Sequence, residues 1–229
     1  LHLAENQTEV DSCLDRTGMT PGELLSCHRL FAVPATVAGC GQLTEEEARS
    51  LGKHRASAVA LPLADAKSGR RCAPITDLVR AGMNVALGTD GAIQAGNLDM
   101  FEVMRGAAMS VRAQKGDPSA LPSSAALMMA TFCGAQAQGR GLECGMLKEG
   151  YDADLVLIDF SAPHLMPCHN VITGLVYAAK GGDVAMTMVR GKILYQNGKF
   201  PTIDLNAVIE ELTTYAIPKL FAKEESGNG

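Results

Sequence analysis

Asn84-Val85-Ala86-Leu87-Gly88-Thr89-Asp90-Gly91 is the stretch whose reading decides the fold. Val85 to Leu87 is an apolar run too short for a helix and right for a buried strand. Gly88-Thr89-Asp90-Gly91, small and polar, turns the chain. A carboxylate at the C-terminal mouth of a buried parallel strand is where α/β folds place chemistry. Asp90 reads equally well as a turn former or as the cap of a following helix. The stretch therefore gives a strand and leaves the role of its acid open.

Upstream the same pattern recurs. Leu1 to Ala4 reads as a strand leading to Glu5, and Asn6 to Leu14 as a helix ended by Gly18. Thr20-Pro21-Gly22-Glu23 opens a helix to about Leu30, with Thr as cap and Pro in the first turn. Pro34 to Ala38 is a strand ending in Gly39-Cys40-Gly41-Gln42, and Thr44-Glu45-Glu46-Glu47 opens a helix to about Lys53. Ala56 to Leu61 is a third strand stopped by Pro62, residues 63–73 read as a loop, and Pro74 to Ala81 as a helix stopped by Gly82. Short buried strands joined by helical crossovers are parallel βα units. Four of them make half of an eight-stranded barrel. The expectation is an α/β fold of the (β/α)8 TIM-barrel type, with about its last four units in residues 1–150.

Downstream, Leu98 to Val111 and Pro122 to Gln136 read as helices. From Ala153 the character changes to strand Leu155 to Ile158 and a hairpin, Val184 to Val189 and Lys192 to Tyr195, turning at Arg190-Gly191. A helical segment, Leu175 to Ala179, lies between them. Residues 151–200 are thus a small β-rich portion with a return helix. Residues 201–229 are an amphipathic helix from about Asp204, with apolar Leu205, Val208, Ile209 and Leu212, and a frayed tail at Gly227 to Gly229. The start, Leu1-His2-Leu3-Ala4, reads as strand interior, so the chain reads as a piece of a longer protein.

Composition narrows the function classes. Of 229 residues 47% are apolar and 20% charged, with a net charge of −5. That argues against nucleic acid, which needs clustered Lys and Arg. No apolar run approaches the ~20 residues of a membrane span. Seven cysteines without a CxxC pair read as reduced thiols, which predicts a cytoplasmic protein.

His2 and Glu5 stand three apart at a strand end. Neutral imidazole binds zinc, and a nearby carboxylate can move a proton to and from a metal-bound water. If strand ends converge on one mouth, His2, Glu5 and Asp90 face one ion. Catalytic zinc takes about three protein ligands, and this chain offers two, His2 and Asp90. The bland alternative is a loosely ordered His2 with no partner. His28 and His54 at helix ends, His164 and His169 in a loop, and Arg70-Arg71 read as solvated groups; Cys40 reads as a core or loop thiol.

Several segments together resemble the amidohydrolase superfamily, above all its S-adenosylhomocysteine and 5′-methylthioadenosine deaminases and the triazine chlorohydrolases. They are His2-Leu3-Ala4-Glu5 with Glu9-Val10, Leu87-Gly88-Thr89-Asp90-Gly91, Asn97-Leu98-Asp99-Met100-Phe101-Glu102, Met129-Ala130-Thr131, Gly150-Tyr151-Asp152-Ala153-Asp154-Leu155-Val156, and Gly191-Lys192 with Asn197-Gly198-Lys199. The resemblance implies a (β/α)8 barrel beside a small β-sandwich, of which this chain carries the C-terminal parts. It implies a divalent metal, zinc or iron, with His2 as the ligand of the fifth strand and Asp90 as that of the eighth. Glu5 is then the proton shuttle, and Asp90 also accepts a proton from the attacking water. The implied substrate is a small heterocyclic amine losing its amino group by C–N hydrolysis. The chain departs from the family at several places: Gly39 and Ala60 stand where the sixth and seventh strands usually end in histidine, and Gln94-Ala95 where a Ser-Asn pair is usual. Those losses, with the missing first-strand ligands, keep a second reading open, a catalytically impaired binding or assembly module. A half barrel also exposes two sheet edges, so the chain is expected to pair with a second copy or with a complementing N-terminal half.

Overall fold

Strands β1 (His2–Leu3), β2 (Thr36–Gly39), β3 (Ser57–Ala60) and β4 (Asn84–Leu87) pair in chain order into one parallel sheet. The computed structural model describes residues 1–221, and the tail expected at Gly227 to Gly229 lies outside them. Register aligns Leu3 with Gly39, Val37 with Ala58, and Ala60 with Leu87. The four C-terminal strand ends therefore lie along one edge, and everything that follows them in sequence starts from that edge.

The crossovers are helical because the sequence marks their ends. In α1 (Gln7–Thr17), the Asn6 side chain accepts from Glu9 N, and Gly18 closes the helix in left-handed backbone. Reciprocal capping boxes start α2 (Pro21–Cys27) at Thr20 and α3 (Glu45–Lys53) at Thr44. Between β3 and β4 run α4 (Pro62–Lys67) and α5 (Ile75–Arg80). Three expectations are corrected here. Residues 63–73 are not all loop, because Pro62 occupies the first turn of α4, where its missing N–H costs nothing. Helix α2 stops at Cys27, short of Leu30: Arg29 takes φ +57°, and Leu30–Ala32 form a single 3₁₀ turn ahead of Pro34. The helix expected over 122–136 is two, α8 and α9 below, because Thr131 bonds its hydroxyl back to Leu127 O at 2.8 Å and leaves helical backbone.

After β4 come α6 (Ala92–Ala95), α7 (Met100–Lys115), α8 (Ser123–Ala130) and α9 (Phe132–Ala137). The core is one cluster of sheet residues, Val37, Ala58 and Val85, against Leu51, Ile75 and Leu78 from the crossovers and Val103 and Val111 from α7. The second sheet is antiparallel, β5 (Leu155–Ile158), β6 (Val184–Val189) and β7 (Lys192–Gln196). Helix α10 (Val171–Tyr177) starts earlier than expected because Asn170 caps it, and it packs on α7 and α8 with Val176 fully buried. The C-terminal segment is α11 (Leu205–Glu211), a wide turn at Leu212–Ala216, and α12 (Ile217–Phe221). Its apolar face, Leu205, Val208 and Ile209, is exposed among the described residues. Among the described residues no helix is long and apolar enough to cross a membrane.

Candidate metal centre

The site is built on the shared C-terminal edge of the parallel sheet. His2 lies on β1 and Asp90 two residues beyond Gly88, at the opposite edge of the sheet. Three strand spacings put those edges ~14 Å apart in a flat sheet. Yet His2 Nε2 and Asp90 Oδ1 stand 3.9 Å from one another. Asp90 holds φ +59°, with its carbonyl accepting from Thr89 Oγ1 at 2.8 Å, and Ala4 and Cys40 also turn through positive φ. Left-handed backbone at three strand ends is the kind of local strain that folds concentrate at working sites. Asp90 does not cap α6, whose first flanking residue is Gly91 and has no side-chain bond.

His2 has a partner, contrary to the bland reading of a loose terminus. Its Nδ1 is 2.7 Å from Glu5 Oε1, and in the tautomer that donates from Nδ1 to that carboxylate, Nε2 is a lone-pair donor toward Asp90. A carboxylate on one imidazole nitrogen is the usual support for a metal ligand on the other. Zinc bonds to nitrogen and oxygen are ~2.0–2.2 Å long, and a 3.9 Å gap fits within two of them. The donor pair therefore suits such a cation as two of its ligands. Among the described residues no group of three His, Cys, Asp or Glu gathers to hold an ion.

Glu5 is the hub of the site. Its peptide is pinned because Ala4 N and Glu5 N donate to the two oxygens of Glu9 at 2.9 and 2.8 Å. Its side chain crosses the face of Gly39: a Cβ at position 39 would come 2.5 Å from Glu5 Cγ. On its far side stands Arg70, whose Nη2 is 3.7 Å from Glu5 Oε1 and whose Nε donates to Asp65 Oδ1 at 3.2 Å. Asp65 is only 1% exposed. Burial pushes its carboxyl up to about 6, against the pull of the Arg70 charge. Cys40, fully buried at the end of β2, is pushed up to about 12 by the same cause, so it is a packed thiol and no nucleophile.

His2, Glu5 and Asp90 are thus brought together, while His28, His54, His164 and His169 stand elsewhere and exposed. His164 is nonetheless paired, with Asp183 at 3.0 Å. Sequence reasoning missed three groups: Glu9, Asp65 and Arg70. Arg71 is solvated as expected, but Arg70 is not. The available signal was Asp65, an acid in the first turn of a helix next to an arginine five residues on.

The model of the amidohydrolase family matches residues 1–194. A 5-methylthioadenosine/S-adenosylhomocysteine deaminase of Moorella thermoacetica is 40% identical over 213 residues, 93% of this chain and 50% of that protein. A 5′-deoxyadenosine deaminase of Methanosarcina acetivorans is 37% identical over 94% of this chain and 50% of its own length. The crystal structure of an adenosine deaminase from Xanthomonas campestris with bound zinc superposes with a TM-score of 0.87 at 33% identity, covering 95% of this chain and 49% of that one. Atrazine chlorohydrolase TrzN from Arthrobacter aurescens, complexed with zinc, superposes at 0.82 with 25% identity over 93% of this chain and 47% of that one. The chain spans about half the length of the curated relatives it matches. With a family match over most of its residues, the chain belongs to the amidohydrolase family.

Proposed function

We propose that this chain is the C-terminal half of a metal-dependent hydrolase that deaminates an adenosine-type nucleoside or a related heterocyclic amine. The observation that carries the reading is the facing of His2 Nε2 and Asp90 Oδ1 beside a Glu5 already bonded to His2. In it, residues 1–150 are four βα units of a (β/α)8 barrel, 151–200 are part of a small β-sandwich, and 201–229 are a C-terminal helix and tail. The 33%-identical deaminase and the chlorohydrolase, both described with zinc, support zinc as the ion, with iron as the alternative. Such an ion supplies a Lewis acid that acidifies water near neutral pH. His2 and Asp90 are its ligands in this chain, and the remaining ligands come from strands outside it. Asp90 accepts a proton from the incoming water, and Glu5 delivers one to the departing amine. We place the protein in the cytoplasm, a reading supported by seven unpaired thiols.

The test is metal content by plasma mass spectrometry on the complete protein, this chain joined to its N-terminal half, purified without added metal, paired with ammonia release from 5′-methylthioadenosine and S-adenosylhomocysteine. Near-stoichiometric zinc or iron is expected, with His2→Ala and Asp90→Ala each losing most of it. A folded, metal-free parent protein would overturn the proposal.

A second reading, an impaired binding or assembly module, is favoured by Gly39 and Ala60, which offer no ligand where the family usually has histidine. It gains if metal is bound but no amine substrate is turned over. In both readings the open edges of β1 and β4 call for a partner, either a second copy or a complementing N-terminal half. Light scattering is therefore expected to show species heavier than the 24.0 kDa chain. A clean monomer would count against this.

A further inference from the structure

We propose that Arg70 is a positioning residue of this site, holding the Glu5 carboxylate against His2 Nδ1. The inference rests on the reading of His2 and Glu5 given above.

Arg70 is anchored twice to one residue. Its backbone N–H donates to Asp65 O at 2.8 Å, and its Nε–H donates to Asp65 Oδ1 at 3.2 Å. Asp65 is fully buried within α4, so the anchor is held by a packed helix. These bonds leave one end of the guanidinium uncommitted. Its Nη2 is buried and has no hydrogen-bond partner, and it points at Glu5 Oε1 from 3.7 Å. That oxygen is the one that accepts the His2 Nδ1 proton. A buried donor without a partner is costly, and a small side-chain adjustment toward Glu5 satisfies it with a charge-assisted bond. Glu5 lacks other lateral support. Its Cγ occupies the space above Gly39, so no side chain of β2 stands beside it, and Glu9 holds only its peptide. The planar fork of arginine serves Asp65 and Glu5 at once. Lysine, a single point of charge, can serve Glu5 only by giving up Asp65.

The role is readable without turnover, in the ¹⁵N spectrum of the His2 ring. Recorded at a pH high enough that the ring is neutral, the parent chain is expected to show a single tautomer, with the proton on Nδ1. Arg70→Met and Arg70→Gln are expected to give a mixture of tautomers, and Arg70→Lys to restore the single form in large part. Glu5→Ala gives the same mixture, and adding Arg70→Met to it changes nothing further, since both act through one bond. In protein that turns over, Arg70→Met lowers kcat about 10–100-fold, the usual cost of losing support behind a metal ligand, with little change in KM. An unchanged ring spectrum in either neutral variant, with circular dichroism showing the fold intact, overturns the proposal. If Arg70→Met does not fold, Arg70→Gln against Arg70→Lys gives the same comparison. A complete protein with the single tautomer but no deaminase activity would instead overturn the proposed reaction and leave the positioning role standing.

Discussion

Glu5→Gln, in the barrel completed by its first four βα units, is expected to lower kcat about 10²–10⁴-fold, the range for loss of a positioned acid–base group. Metal content should hardly move. The amide oxygen of Gln can still accept from His2 Nδ1, a bond of 2.7 Å in the parent, so Nε2 remains a lone-pair donor facing Asp90. What Gln cannot do is carry a proton. The variant thus separates holding an ion from delivering a proton, and the pair of measurements, metal per chain and ammonia per second, reads both. Unchanged turnover would remove Glu5 from the proton path.

The second large effect is on stability and comes from Asp65. Its carboxyl is held at about 6 in the fold, mainly by burial, with the Arg70 charge opposing and the nearby Glu5 and Asp90 charges adding to the rise. The sign follows directly. Folded protein binds this proton more tightly than unfolded chain, so the folded state is favoured while Asp65 is protonated. Stability falls as pH rises from about 4 to about 6 and levels off above. Between pH 5 and pH 7 the loss is about 1 kcal/mol for a shift of this size. Asp77 and Asp183 are held low by their Lys115 and His164 partners, so they act with the opposite sign and only at more acid pH. Denaturant titrations at the two pH values should therefore show the parent more stable at pH 5 by that margin relative to Asp65→Asn, which cannot titrate. Equal pH dependence in the two proteins would show that Asp65 ionises freely in the fold.

The four parallel strands were legible because each is a short apolar run, and the first two run straight into a helix cap, which is local chemistry. Asn6, Thr20 and Thr44 bond within three residues of themselves. Where two local rules compete, sequence alone does not choose. Pro62 stops a strand and also starts a helix, and Thr131 suits a helix until its hydroxyl bonds the preceding turn. That His2, Glu5 and Asp90 lie close together was legible because strand ends meet on one edge of such a sheet. Arg70 was not, because an arginine in a loop is solvated unless something buried holds it. Whether Asp65 is buried depends on how α4 packs, which no spacing in the sequence encodes. The lean of Glu5 over Gly39 is a tertiary contact of the same kind.

That lean constrains how the sequence can change. Position 39 and position 5 share one volume: any side chain at 39 starts within 2.5 Å of Glu5 Cγ and on a backbone at φ +90°. A histidine introduced there alone would expel the glutamate from its bond to His2 before contributing a ligand of its own. The intermediate loses one function without gaining the other. Placing an imidazole there would first require Glu5 to find a different rotamer and Arg70 to release it. Chains carrying glycine at 39 and arginine at 70 are expected to keep or lose both together.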